Sequence, residues 1–249
     1  MKWLVRPLMY VWTFWCLIVT GIALIIAFII MWLAVNLGGD GVKERLYFVP
    51  YWFGKSLLFL FGVRLNIKGQ EKVDYSKQYI FSFNHTSNLD PLISATMSKH
   101  GKFLGKAEIL SYPIIGYALK HLYISVRRND KDDRDRSLRD LRIAVEKGAS
   151  PVIYPEGTRN RGPHILGEFK RGAFKISQET GVPIVVCTTI NSWDLMRGDE
   201  WVLKPGVVHG FWDGPFMPED FDSMESMREH IKSVMEQHML KNYPNGVLE

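Results

Sequence analysis

Tyr79-Ile80-Phe81-Ser82-Phe83-Asn84-His85-Thr86-Ser87-Asn88-Leu89-Asp90-Pro91 holds a strand, a polar loop and the opening of a helix in one stretch. The first five residues are β-branched or aromatic with a single serine, a pattern of a buried strand. Asp90 followed by Pro91 reads as an N-cap and a first-turn proline, opening a helix that runs to about residue 99. A strand feeding a helix through a polar loop is the repeating unit of an open α/β sheet, and in such sheets the loops at the carboxyl ends of the strands carry the site.

The same alternation continues on both sides. Short apolar or alternating runs occur at 65–67, 79–83, 102–104, 123–125, 152–154, 184–187 and 207–208, separated by helical stretches. The expectation is an α/β domain with a mostly parallel central sheet and covering helices, spanning 63–249. Residues 1–62 are assigned to membrane-anchoring helices. No internal repeat or low-complexity linker interrupts the chain.

Within the opening stretch, His85 and Asp90 are the residues with chemical potential. Five residues apart on an uninterrupted helix they would point about 140° away from each other. They can meet only because the chain turns between them, with His85 in the loop ahead of the helix. An imidazole so placed can receive the carboxylate on one nitrogen and offer the other to a substrate hydroxyl, as in a serine hydrolase whose serine is replaced by the acceptor alcohol. A helix cap beside a polar loop histidine is the competing reading of the two residues taken alone. The chain has no Gly-x-Ser-x-Gly elbow, P-loop or His-Glu-x-x-His motif, and neither Cys16 nor Cys187 has a nearby cysteine partner for a metal pair. No metal is expected.

A second cluster follows strand 152–154. In Tyr154-Pro155-Glu156-Gly157-Thr158-Arg159-Asn160 a glycine lets backbone amides approach an anion, and Arg159 offers a bidentate fork for a phosphate. Lys106 and Arg127, each just after a strand-like run, are candidates for further cations. A surface ion pair of Glu156 with Arg159, and solvated strand-end cations, are the alternatives.

Taken in order, Asn84-His85-Thr86-Ser87-Asn88-Leu89-Asp90-Pro91, Lys106-Ala107-Glu108 with Pro113 and Gly116, Ile124-Ser125-Val126-Arg127, Tyr154-Pro155-Glu156-Gly157-Thr158-Arg159 and Val182-Pro183-Ile184 resemble the ordered blocks of the glycerolipid acyltransferase family, closest to its bacterial 1-acyl-glycerol-3-phosphate acyltransferases. The resemblance runs from Asn84 to about Thr189. It departs where Tyr154 stands for a more usual phenylalanine, where Asn160 stands for serine, and where Ser125-Val126-Arg127-Arg128 replaces Ile-Asp-Arg, which leaves open which arginine serves. It implies transfer of a fatty acyl group from an acyl thioester, on acyl carrier protein or coenzyme A, to the sn-2 hydroxyl of 1-acyl-glycerol 3-phosphate, giving phosphatidic acid. His85 would be the base and Asp90 its orienting carboxylate. Lys106, Arg127, Glu156, Gly157, Thr158 and Arg159 would bind the phosphate, with no cofactor beyond the thioester co-substrate. Glycerol 3-phosphate or another lysophospholipid as acceptor, and a non-enzymatic membrane scaffold, are the rival readings.

The N-terminal quarter explains how such a site would reach lipid. Residues 8–37 carry no charge and only Thr13, Thr20 and Asn36 as clearly polar side chains, over about 45 Å if helical, against the ~20 residues that cross a bilayer core. Tyr10, Trp12, Phe14 and Trp15 favour headgroup depth. A second stretch, 43–61, mixes Arg45, Tyr47, Pro50, Trp52 and Lys55 with apolar residues, as interfacial helices do. The placement of Lys2 and Arg6 favours a hairpin embedded from one side, monotopic on the inner membrane with the catalytic domain on the cytoplasmic face. A single span and a buried core helix are the alternatives. The net charge of +5 and pI near 9.1 suit an anionic leaflet and an acidic carrier. No nucleic-acid signature is present.

Two further stretches have plain structural readings. Arg127 to Arg142 alternates Arg and Asp, but Leu138, Leu141 and Val145 behind a Ser137 cap describe an amphipathic helix with a solvated face. Met224, Met227, Ile231, Met235 and Met239 recur at helical spacing behind a capping box at Asp222, and read as core.

Overall fold

The computed structural model describes residues 2–37, 46, 48–99, 101–106, 111, 116, 123–126, 131–160, 164–197, 200–246 and 248. The expected α/β fold is present. Among the described residues seven strands form one sheet: β1 (Val63–Lys68), β2 (Ile80–Phe83), β3 (Lys102–Lys106), β4 (Tyr123–Val126), β5 (Pro151–Ile153), β6 (Ile184–Ile190) and β7 (Gly206–Phe216). Their spatial order is β1-β7-β6-β2-β5-β3-β4. From β6 to β4 every neighbouring pair is parallel, whereas β7 runs antiparallel to β6 and takes β1 with it. β2 and β6 are buried at every residue, the signature of strands covered on both faces.

Helices cover the sheet. Those in the described residues are α1 (Lys2–Leu37), α2 (Phe48–Leu60), α3 (Asp90–Ser98), α4 (Lys131–Glu146), α5 (Gly172–Thr180), the single turn α6 (Ser192–Leu195) and α7 (Met224–Leu240). The methionine ladder is core, with Met227, Ile231 and Met235 fully buried and Met239 at 1% exposure. Two boundaries differ from expectation. α7 is capped by Ser223, whose hydroxyl accepts the Ser226 N–H while the Ser226 hydroxyl receives the Ser223 N–H, so the box sits one residue later than Asp222. α4 begins at Lys131 rather than behind Ser137.

α1 and α2 form an antiparallel pair. Met31 clusters with Val49 at the start of α2, while Trp12 approaches Gly62 just beyond its end. Each polar side chain of the long apolar run is returned to its own helix: Thr13 Oγ1 donates to the Met9 carbonyl, Thr20 Oγ1 to that of Cys16 and Asn36 Nδ2 to that of Trp32, all at 2.7 Å. Pairing of this kind is what an apolar surrounding requires. Residues Arg6–Ala34 are long and apolar enough to cross a membrane, and 11% of the most apolar window is buried. That excludes a buried core helix. Leu8, Val11, Phe14, Trp15, Ile22 and Ile25 are each at least half exposed.

The pair is not separate from the sheet. Cys16, Val19, Leu57, Leu58 and Phe61 belong to one apolar cluster with Phe81, Phe83, Leu89 and Trp212. The Leu203 N–H donates to Thr13 Oγ1 at 3.0 Å, so that one hydroxyl ties α1 to the loop before β7.

Candidate active site

The parallel register sets the site. Phe81 lies beside Val152, and Phe103 beside Val152 on its other side. The carboxyl ends of β2, β5 and β3 therefore fall at one level, where the chain leaves each strand as Asn84-His85, Pro155-Glu156 and Lys106 respectively. Asn84 fixes the first exit. Its buried amide donates to the Thr189 carbonyl at 2.9 Å and accepts the Thr189 N–H at 2.7 Å and hydroxyl at 3.0 Å, stitching the end of β2 to β6.

His85 and Asp90 meet as expected. His85 Nδ1 lies 2.9 Å from Asp90 Oδ2, and the same oxygen accepts the N–H groups of Thr86 and Ser87 at 2.7 Å each. A carboxylate that accepts from two amides assigns the third proton to Nδ1–H, leaving Nε2 with a lone pair. The His85 side chain is 17% exposed and that of Asp90 2%. The cap reading of Asp90 is corrected: the helix is preceded by Leu89 and has no side-chain cap bond. Asp90 is the first helical residue, and its carboxylate turns back over the loop because two amides and an imidazole there supply the donors. The negative group still stands at the positive end of α3.

The loop after β5 closes around the base. The Tyr154 ring stacks on the His85 ring with centroids 4.2 Å apart and planes 22° from parallel. The Tyr154 hydroxyl lies 2.7 Å from Ser94 Oγ, which donates to the Asp90 carbonyl at 2.8 Å. Burial, reinforced by the nearby Asp90 carboxylate, pushes the phenol's pKa upward, so it stays protonated.

Glu156 is turned into the protein. It is 3% exposed, and both oxygens are occupied by the chain's own amides: Oε1 accepts the His85 N–H and Oε2 the Gly167 N–H, each at 2.7 Å. Burial pushes its carboxyl up to about 7, against the downward pull of those two amides. Nor does it form an ion pair at the surface with Arg159.

Gly157 adopts φ +73°, a left-handed conformation that glycine takes without strain, and the stem of Lys170 passes 3.1 Å from where a Cβ would sit. Thr158 is exposed and Arg159 half-buried. Lys106 closes β3; its side chain lies outside the described residues, as do Glu108, Pro113, Arg127 and Arg128. The residues that the sequence reading left without a role are Asn84, Ser94, Asn160 and Gly167. Asn84 alone had a signal, as the polar residue adjoining the histidine at the end of a buried strand.

A cavity of about 330 Å³ lies under the His85–Asp90 loop. Its walls are mainly apolar, with Leu17 and Leu24 of α1, Phe53 and Leu57 of α2, Leu89 and Leu92 of the loop and α3, and Leu203 of the stretch before β7 among them.

The profile of the Acyltransferase family matches residues 64–189, half of the chain, a stretch that holds the His85–Asp90 loop and the segment 154–167. The chain belongs to the acyltransferase family. Relatives of this acyltransferase include the chloroplastic 1-acyl-sn-glycerol-3-phosphate acyltransferase of Arabidopsis thaliana, 34% identical over 148 residues, which are 58% of this chain and 41% of that protein. A 1-acyl-sn-glycerol-3-phosphate acyltransferase of Limnanthes douglasii is 24% identical over 195 residues, covering 77% of this chain and 67% of the relative. The chain spans less than half the length of the plastid and algal relatives it matches, 41 to 44%. In fold, this acyltransferase resembles the crystal structure of the 1-acyl-sn-glycerophosphate acyltransferase PlsC from Thermotoga maritima, with a TM-score of 0.77 over 96% of both chains at 21% identity.

Proposed function

We propose that this acyltransferase moves a fatty acyl group from an acyl thioester to the sn-2 hydroxyl of 1-acyl-glycerol 3-phosphate. The observation that carries the reading is the His85–Asp90 pair, with Nδ1 committed to the carboxylate and Nε2 left as an acceptor at the end of the parallel strands. His85 Nε2 takes the proton of the acceptor hydroxyl as its oxygen attacks the thioester carbonyl. The C–S bond breaks as the ester forms, and the proton passes to the departing thiolate. Asp90 balances the positive charge carried by the imidazole between those transfers.

Arg159 at the end of the glycine turn is the described cation for the phosphate, joined by Lys106 and Arg127. The cavity has the apolar lining that suits an acyl chain and takes Asn88 and Leu89 of its wall from the loop between His85 and Asp90. The exposed apolar faces of α1 and α2 support attachment to one leaflet of a membrane, where the acceptor and product both reside. Anchored there, the site draws in one lipid and returns the other without moving acyl chains through water, which costs about 0.8 kcal/mol per exposed methylene.

The test is an assay of the detergent-solubilised protein with acyl-coenzyme A and acyl carrier protein thioesters against lysophosphatidate, glycerol 3-phosphate and lysophosphatidylcholine, with His85→Ala as control. Phosphatidate formation, reduced by roughly 10² to 10⁴ in the variant, is the expected result. Preference for glycerol 3-phosphate moves the acceptor and keeps the chemistry. No transfer to any acceptor refutes the reading.

A further inference from the structure

Resting on the reading of His85 as the base, a second function emerges for the segment 154–160, which motif reasoning assigns to the phosphate. Among the described residues four groups hold His85. Its N–H donates to Glu156 at 2.7 Å, its carbonyl accepts the Asn160 N–H at 2.7 Å, its ring face lies on Tyr154, and its Nδ1 faces Asp90. Three of these four contacts come from the loop after β5.

The Glu156 side chain is buried and each of its oxygens accepts a backbone amide, so it is turned into the protein and away from a substrate phosphate. Its other tie, to the Gly167 N–H, is built to close tolerance: a Cβ at residue 167 would lie 2.9 Å from Oε2. The carboxylate thus bridges two backbone segments, and one of them is the catalytic loop. Tyr154 is tethered in the same sense. Its hydroxyl reaches Ser94 on α3, the helix that also carries Asp90, so the plate behind the imidazole and the carboxylate beside it share one support.

We propose that Glu156 and Tyr154 are positioning residues for His85, Glu156 setting the height of its backbone and Tyr154 the plane of its ring. Neither touches the acceptor. The cost of their loss falls on turnover, since an imidazole displaced by about 1 Å loses as much as 10²-fold in rate. The affinity for the phosphate headgroup is left to the cations.

The test is steady-state kinetics of the full-length protein in detergent with lysophosphatidate, for Glu156→Gln, Gly167→Ala, Tyr154→Phe, Tyr154→Leu and His85→Ala. Glutamine keeps the shape of Glu156 but sets an NH₂ against one of the two amides. Its expected effect is a fall in kcat of at least tenfold with the KM for lysophosphatidate within twofold. Gly167→Ala pushes the carboxylate without altering its chemistry, should give the same split, and provides the reading if Glu156→Gln does not fold. Phenylalanine at 154 keeps the stack and should lose less kcat than leucine. A raised KM with unchanged kcat in Glu156→Gln, or wild-type kcat in both Glu156→Gln and Gly167→Ala, overturns the proposal while leaving His85 as the base. Wild-type turnover in His85→Ala overturns both.

Discussion

Replacing Asp90 by asparagine isolates charge from geometry at the centre of the site. Asp90 Oδ2 accepts three bonds, from His85 Nδ1 and from the amides of Thr86 and Ser87. An asparagine oxygen placed there can accept the same donors. Its NH₂ would occupy the position of Oδ1, which has no hydrogen-bond partner among the described residues. The local backbone should therefore survive, while the negative charge facing the imidazolium disappears. At about 4 Å between charge centres and an effective dielectric of about 20, that charge is worth about 4 kcal/mol. At 1.36 kcal/mol per decade, kcat should fall about 10³-fold. Alanine is the poorer choice, because Thr86 and Ser87 are buried and two abandoned amides would cost about 1–3 kcal/mol each in stability. The assay is kcat in detergent micelles at saturating thioester and lysophosphatidate, with thermal unfolding of the same samples. An asparagine variant that melts like the wild type and turns over within threefold of it would refute Asp90 as the electrostatic partner of the base.

Other expectations are independent of that one. Because Glu156 titrates near 7 in the folded chain against an ordinary 4.5, the fold holds this proton more tightly than the unfolded chain does. Its contribution to stability is thus fully present below pH 4.5 and is lost as the pH rises through about 7, an amplitude of about 3 kcal/mol. The melting-temperature difference between wild type and Glu156→Gln should accordingly shift against the wild type between pH 4.5 and 8; a pH-independent difference contradicts it. Thr20→Trp, which fills the cavity from α1, should move the preferred donor to shorter acyl chains in a thioester length series, and an unchanged profile removes the cavity from that role. With both helices in one leaflet, single cysteines placed at Lys2 and Lys241 should be labelled from the same side of sealed vesicles, whereas labelling from opposite sides would establish a span.

How far the sequence could be read depended on the range of the interactions involved. The seven strands among the described residues stood out as apolar or alternating runs: continuous where a strand is buried on both faces, as β2 and β6 are, and alternating where one face is solvated, as in β1. Their order did not, since nothing local at Val207 says that it will lie between β1 and β6, nor that the strand extends to Phe216. His85 and Asp90 were legible because a turn within six residues brings them together. Glu156 was not. A carboxylate between a proline and a glycine looks the same whether it faces outward or accepts two backbone amides, and the Gly167 amide that it accepts lies eleven residues on. The cap shifts at Asp90 and Ser223 have a common cause, in that several adjacent residues could cap and the neighbouring donors choose among them.

The place of β1 in the sheet sets the order in which the molecule can be completed during synthesis. β1 lies at the edge and Val63 pairs with Gly206 of β7. At about 5–20 residues per second, β1 leaves the ribosome roughly ten seconds or more before its partner exists. Through that interval it is an open strand edge next to two apolar helices, the kind of surface on which nascent chains aggregate. Early burial of α1 and α2 in a bilayer would hold that edge against a lipid surface and away from other nascent chains until β7 arrives to close it.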